Sequence, residues 1–230
     1  MISFGVKSNI DQVAKAFDKM ARDQVPFATS LALNRTAQLA RQTLRTHMAS
    51  VFDRPTPYTL NSLYTINSTK RRLIARVEHK TGGKGTPASK YLRPEIEGGT
   101  RRQKASERII ADLAGVPNGV YVPGPGAKLD SYGNVSGSFI RQILAQLRGT
   151  SVKKKVGYFV VRRGNSRGIA AGVYQRTSTR IVPVLWVIPR ATYQKRYDME
   201  GVVKRVTNAE FGRQFAAAMD YALATAKVKL

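Results

Sequence analysis

Three features of the sequence predict an α+β fold in which N-terminal helices and a C-terminal helix pack on a mainly antiparallel β-sheet, joined by long Gly/Pro-rich loops. Apolar residues recur at helical spacing near both ends, strand-like alternation fills residues 156–188, and prolines and glycines punctuate the intervals. At 230 residues with 42% hydrophobic content, the chain is large enough to bury a real core as one domain, residues 1–230. The one candidate for an internal boundary is the stretch 116–134.

The first helix is read from Ile10, Val13, Ala14, Phe17, Met20 and Ala21, with Asp11, Lys15, Asp18, Lys19 and Arg22 on the other side. Pro26 suits the first turn of a second, longer helix whose seam is Leu33, Ala37, Ala40, Leu44, Met48 and Val51. Two prolines in RPTPYTLNSLY, residues 54–64, stop that helix. Alternation in SLYTINST and RLIARVEH then predicts a β-hairpin around Thr69 to Arg72. KTGGKGTP, residues 80–87, reads as a basic loop without an apolar anchor.

Thr100 followed three residues later by Gln103 has the form of a capping box. It predicts a helix packed through Ala105, Ile109, Ile110 and Leu113 and ended by Gly115 and Pro117. VPNGVYVPGPG, residues 116–126, reads as a connector, and a helix follows from about Ser138 to Arg148 with Phe139, Ile140, Ile143, Leu144 and Leu147 inward. Three strands come next, at 156–161, 168–174 and 180–188, and Pro183 places the last at an edge or a bulge. A closing helix is read as starting at Thr207 and Glu210, with Phe211, Phe215, Ala218, Met219, Ala222 and Leu223 on one face.

Little in the chain points to catalysis. It has no cysteine, which removes disulfides, thiolate zinc sites, iron–sulfur clusters and cysteine nucleophiles. Its two histidines, His47 and His79, are far apart in sequence. Glu95 and Glu97 stand beside arginines and read as ion-pairing groups, while Asp198 and Glu200 precede a helix, where negative charge favours the helix start. GGKG at 82–85 and GPGAK at 124–128 lack the spacing of a phosphate loop. No enzyme activity, metal, cofactor or small-molecule substrate is expected. The N-terminus lacks a charged region followed by an apolar one, and no stretch reaches the ~18 apolar residues of a membrane span, so the expectation is a soluble protein used without Sec-type export.

Charge is the strongest signal. Lys and Arg number 39 against 14 Asp and Glu, a formal net charge of +25, which implies a polyanionic neighbour. Between Asp130 and Asp198 there is no acidic residue at all. The candidate contacts to nucleic acid or an acidic partner are Lys153, Lys154, Lys155, Arg162, Arg163 and Arg167, with Tyr158, Phe159 and Tyr174 as stacking surfaces or, alternatively, core residues. Arg101 and Arg102 join them, because two cations at a helix start oppose its dipole and call for something negative, either Glu95 and Glu97 or an external anion.

Four segments, VPFATSLALNRTAQLARQ, RPTPYTLNSLYTI, SKYLRPEIEGGTRRQK and KRYDMEGVVKRVTNAEFGRQFAAAM, together resemble the minor tail protein Z family of tailed bacteriophages, related to the tail-completion or neck proteins that join tail to head. They extend over about residues 25 to 220. The resemblance implies a virion structural subunit without chemistry of its own, present in the host cytoplasm during assembly. It implies a homo-oligomeric ring with loops 80–100 and 116–134 in the contacts and Tyr91, Arg93, Glu95, Glu97 and Tyr121 at the subunit interface. Its partners would be other neck, portal or tail-tube proteins, with DNA contact a further option and no membrane. The alternative is a stand-alone nucleic-acid-binding module using residues 153–167 with Arg101 and Arg102.

Overall fold

A computed structural model describes residues 10–82, 85–149 and 157–226. In chain order they form α1 (Ile10–Val51), α2 (Pro57–Leu60), β1 (Leu63–Ile66), β2 (Arg76–His79), α3 (Ala88–Tyr91), α4 (Arg93–Glu97) and β3 (Gly99–Thr100). Then come α5 (Ala105–Leu113), β4 (Val120–Pro123), α6 (Gly137–Leu147), β5 (Gly157–Val161), β6 (Gly172–Arg176), β7 (Ile181–Ile188), β8 (Thr192–Tyr193) and α7 (Met199–Thr225). The architecture is α+β, with long helices at both ends and antiparallel sheets between. It divides into two compact units, one built from α1, α2, β1, β2 and α7, the other from α4 to β8. The divisions fall at residues 52/53, 56/57, 90/91 and 196/197, so residues 116–134 lie inside the second unit.

In the first unit, the break expected at Pro26 does not occur. One helix runs from Ile10 to Val51 with Pro26 inside it. A mid-helix proline costs about 3 kcal/mol through its missing N–H and ring clash. Here Ala28 and Ala32, just past the proline, lie fully buried against Ala218 and Ala222 of α7, flanked by Phe27, Leu31, Phe211 and Phe215. That packing holds the helical path. The apolar face expected at Ile10, Val13, Ala14, Phe17 and Met20 lies outside the described side chains.

A row of buried positions on α1, Ala28, Ala32, Thr36, Ala40, Leu44 and Met48, is spaced by four residues, with Ser30 and Ala37 buried beside it. Four residues advance about 400° on an α-helix, so the stripe turns by about 40° at each step. Ala28 and Ala32, in its first half, meet α7. Gln38, in the middle of α1, donates to Thr65 Oγ1 of β1 at 3.0 Å, and Asn34 accepts from the Ser68 amide at 2.6 Å. Ring contacts join His47 of α1 to Tyr197, which leads into α7, whereas Phe27 meets Tyr221 near the end of α7. The two long helices thus run antiparallel.

The hairpin is as expected, with Leu63 opposite His79, Ile66 opposite Arg76, and a bridge between Thr69 and Arg72. The start of α7 is earlier than the sequence suggests. Asp198 is the N-cap, its carboxylate accepting from the Gly201 amide at 3.2 Å, and Thr207 lies inside the helix. A capping carboxylate at the positive end of the dipole outweighs the second capping signal nine residues on.

The second unit is a four-stranded antiparallel sheet ordered β4-β7-β6-β5. On one face lie Ile110, Ala111 and Ala114 from α5 and its end, and Phe139, Ile140 and Ile143 from α6. They pack against Val173, Leu185 and Val187, with Tyr121, Tyr158 and Val160 at the margin. Residues 120–123, expected as part of a connector, instead form strand β4, since VYV alternates between its flanking turns and pairs with the long central strand β7. Pro183 sits at a bulge in β7. Tyr174 faces Pro183 while Val173 faces Leu185, leaving Val184 as the extra residue and relieving the proline of its missing ladder bond.

Candidate anion-contacting surface

Thr100 is not a helix cap. It belongs to β3, paired with Thr192 of β8, and α5 begins at Ala105. The cation at Arg101 is answered from within by Glu107 in the first turn of α5. Glu107 Oε2 accepts from Arg101 Nη1 at 2.7 Å and from the Lys104 amide at 2.7 Å, and Arg101 Nη2 reaches Oε1. Arg101 Nε also donates to the Tyr193 hydroxyl at 3.2 Å. Glu107 is completely buried, and its carboxylate pushes the Arg101 guanidinium pKa upward. The anion that answers Arg101 is therefore Glu107, and neither Glu95 nor Glu97. Arg102 is exposed, its carbonyl accepting from Arg101 Nη1.

Glu95 and Glu97 lie in α4 and serve different arginines. Glu95, 8% exposed, receives both prongs of Arg196 at 2.8 and 2.9 Å, and its carbonyl accepts the Arg196 amide. Glu97 pairs with Arg93 one turn earlier at 2.7 Å, on the surface. Tyr91 is 37% exposed beside them. Tyr121 packs toward the core of the second unit with its hydroxyl 3.3 Å from Ser106 Oγ, and burial raises its pKa. Of the five residues expected at a subunit interface, Tyr91, Arg93 and Glu97 are on the surface, whereas Glu95 and Tyr121 are engaged internally.

Arg162, Arg163 and Arg167 share the turn between β5 and β6, and all three are exposed. Asn165 builds this turn. Its Nδ2 donates to the Arg162 and Ile169 carbonyls at 2.9 and 2.6 Å, and its Oδ1 accepts from the Arg167 and Ile169 amides at 3.2 and 3.1 Å. Gly164 and Gly168 take positive φ, 76° and 63°, as a turn folded this tightly around one side chain requires. The Arg163 amide donates to the Ala114 carbonyl at 2.9 Å, fixing the turn to the end of α5. Among the described residues no carboxylate lies within 4 Å of Arg162, Arg163 or Arg167. The neighbouring cations Lys153, Lys154 and Lys155 lie outside the described residues.

The sheet separates the aromatics. Tyr158 packs edge-on against Phe139 on the helix-covered face. Phe159 and Tyr174 are on the opposite face with ring centroids 6.1 Å apart, and the Arg176 guanidinium lies 5.4 Å above Phe159. Sequence reading grouped the three together because strand register, which decides the face, is not written in one strand alone. Asn165 and Glu107 were missed as well. The signal for Glu107 was its place three residues after Lys104, ahead of the apolar pair Ile109 and Ile110.

Unit one holds a separate buried polar group. Tyr197 is fully buried among His47, Phe52 and His79, with ring centroids 5.7 to 5.8 Å away. Ser62 gives its hydroxyl proton to the Thr59 carbonyl at 2.6 Å, so the 2.9 Å contact with His79 is a bond from Nδ1–H to Ser62 Oγ. His79 Nε2 is then a bare acceptor, and it, His47 Nε2 and the Tyr197 hydroxyl have no hydrogen-bond partner among the described residues. Burial drives the His79 pKa down to about 4 and raises that of Tyr197.

No three His, Asp or Glu side chains gather as a metal-binding set among the described residues, and no described helix is long and apolar enough to cross a membrane. No family model, curated protein or solved structure matches this chain.

Proposed function

We propose that this protein is a structural subunit of a tailed bacteriophage that joins or completes the tail at the head–tail interface, assembling as a homo-oligomeric ring and acting through shape and charge. The observation that carries the reading is the turn Arg162–Arg167, whose backbone is tied by Asn165 and which presents three exposed arginines with no carboxylate within 4 Å among the described residues. Meanwhile Glu95, Glu97 and Glu107, acids of the same unit, are taken up by Arg196, Arg93 and Arg101. A surface of one sign on a built turn suits a polyanionic neighbour within a larger particle, whether DNA near its exit path or the acidic face of a portal or tail-tube subunit. The four-segment resemblance to the minor tail protein Z family supports the same reading, and Tyr91, Arg93 and Glu97 supply a surface for subunit contacts.

Imaging of assembled particles with a labelled copy of the chain, together with the native mass of the purified protein, tests this. The expected result is label at the neck or tail and a ring-sized oligomer. A monomer that never accompanies particles or tails overturns it.

A further inference from the structure

The four-stranded sheet is covered on one face by α5 and α6, which meet Tyr158, Val160, Val173 and Leu185. Strand alternation places Phe159, Tyr174 and Trp186 on the other face. Phe159 and Trp186 are partly exposed, and Tyr174 lies buried on the strand between them. Trp186 stands opposite Gly172, where an added Cβ would collide with the Leu185 carbonyl and press on the Trp186 backbone, so the strand beside the indole carries no side chain. The two partly exposed rings are separated by two strand spacings and one two-residue step, roughly 12 Å. The Arg176 guanidinium lies over the Phe159 ring, 5.4 Å from its centroid, and every charged residue from Gly157 to Arg196 is a cation.

We propose that this second sheet face is a stacking platform for single-stranded DNA, with bases laid on Phe159 and Trp186 and the backbone drawn along by Arg176 and the Arg162–Arg167 turn. Partly exposed aromatic rings in a field of one positive sign provide the two interactions that such binding combines, stacking and phosphate attraction. A duplex does not fit the rings, because its bases already stack on one another. Ribose gains nothing here that deoxyribose lacks, because the face offers a 2′-hydroxyl no dedicated partner among its described residues. Its only side-chain oxygen, that of Tyr174, is turned to the Ala170 carbonyl at 2.9 Å. This inference does not rest on the virion role, and particle imaging and DNA titration fail independently.

Trp186 is the only tryptophan in the chain, so its fluorescence reports directly on this face. The test titrates the full chain with oligodeoxythymidylate at several salt concentrations, with a duplex and an oligouridylate of equal length alongside. The expected result is saturable quenching by the single strand, weakened about 5- to 150-fold in Phe159→Leu and preserved in Phe159→Tyr, with the circular dichroism of each variant unchanged. Arg176→Gln should lower the salt slope by about 0.7, the share of one phosphate on a single strand. Should Phe159→Leu fail to fold, the Arg176→Gln slope and the duplex comparison decide. Absence of quenching, equal affinity for duplex, indifference to Phe159→Leu in a folded protein, an unchanged slope in Arg176→Gln, or tighter binding of oligouridylate would each overturn the proposal.

Discussion

Arg101 grips Glu107 with both terminal nitrogens of its guanidinium, and Glu107 is wholly buried while also accepting from the amide of Lys104, the N-cap of its helix. One carboxylate thus offsets a cation, satisfies the Lys104 amide and complements the positive end of α5. Removing one side of such a pair leaves a buried charge alone, at a cost of about 3–5 kcal/mol. Glu107→Ala should therefore lower the urea midpoint by that equivalent. The double replacement Arg101→Met with Glu107→Leu should cost clearly less than Glu107→Ala. Equal losses would mean that the pair is not what holds this corner.

His79 sets a different limit. Its folded pKa, about 4, lies below the ordinary 6.5, so the unfolded chain binds the extra proton first. Its contribution is complete above pH 6.5, falls as pH drops through that value, and stops changing below about 4. The full difference amounts to roughly 3 kcal/mol. Ser62, His47 and Tyr197 surround the ring, and none of them is a carboxylate. His79→Asn keeps a donor near the Nδ1 position and does not titrate. Urea unfolding between pH 7 and 5 should show a flatter stability slope in the variant than in the parent, and parallel slopes would refute the assignment.

Much of the fold was legible where one periodic signal acts alone. The hairpin at Thr69–Arg72, the helix over Phe139–Leu147 and the three strands after Gly157 follow from spacing and turn residues. Two misses share one cause, a local signal outweighed by a partner far away in sequence. Pro26 signalled a break, and Ala218 and Ala222 overruled it from the other end of the chain. Thr100 signalled a cap, but Thr192 recruited it into a strand. For the surface, the arginine cluster was visible in composition. What Arg101 pairs with, and that Asn165 ties the turn, depend on distances that sequence order does not state.

The proline inside α1 offers a direct measurement of that competition. Pro26→Ala restores an amide and removes the ring clash, worth up to about 3 kcal/mol, while the freer unfolded chain takes back about 0.4–1 kcal/mol. A net rise in the thermal midpoint is expected, and a fall would show that the helix is shaped around the proline.

The alanine seam should respond in the opposite sense. Ala218 is fully buried against Ala28 and Ala32, so Ala218→Leu must push α1 and α7 apart, at about 1–3 kcal/mol. Ala217→Leu, one position along and exposed, is the control and should leave the midpoint within about 0.5 kcal/mol. If both variants behave alike, the two helices do not meet along this seam.

The arginine turn separates charge from its placement. Replacing Arg162, Arg163 and Arg167 together by Gln removes three exposed cations without touching the Asn165 hydrogen bonds, which run through backbone atoms. Stability should change little, whereas the salt dependence of binding to a polyanion should lose about 0.9 of slope for each duplex phosphate no longer met. Asn165→Ala retains every charge but releases four hydrogen bonds, so the arginines lose their fixed spacing. Its salt slope should stay near that of the parent while affinity at a single salt concentration falls, because only pre-organisation is lost. Measuring both variants across 50 to 200 mM salt distinguishes a surface that merely carries charge from one that positions it, and identical behaviour of Asn165→Ala and the parent would favour the former.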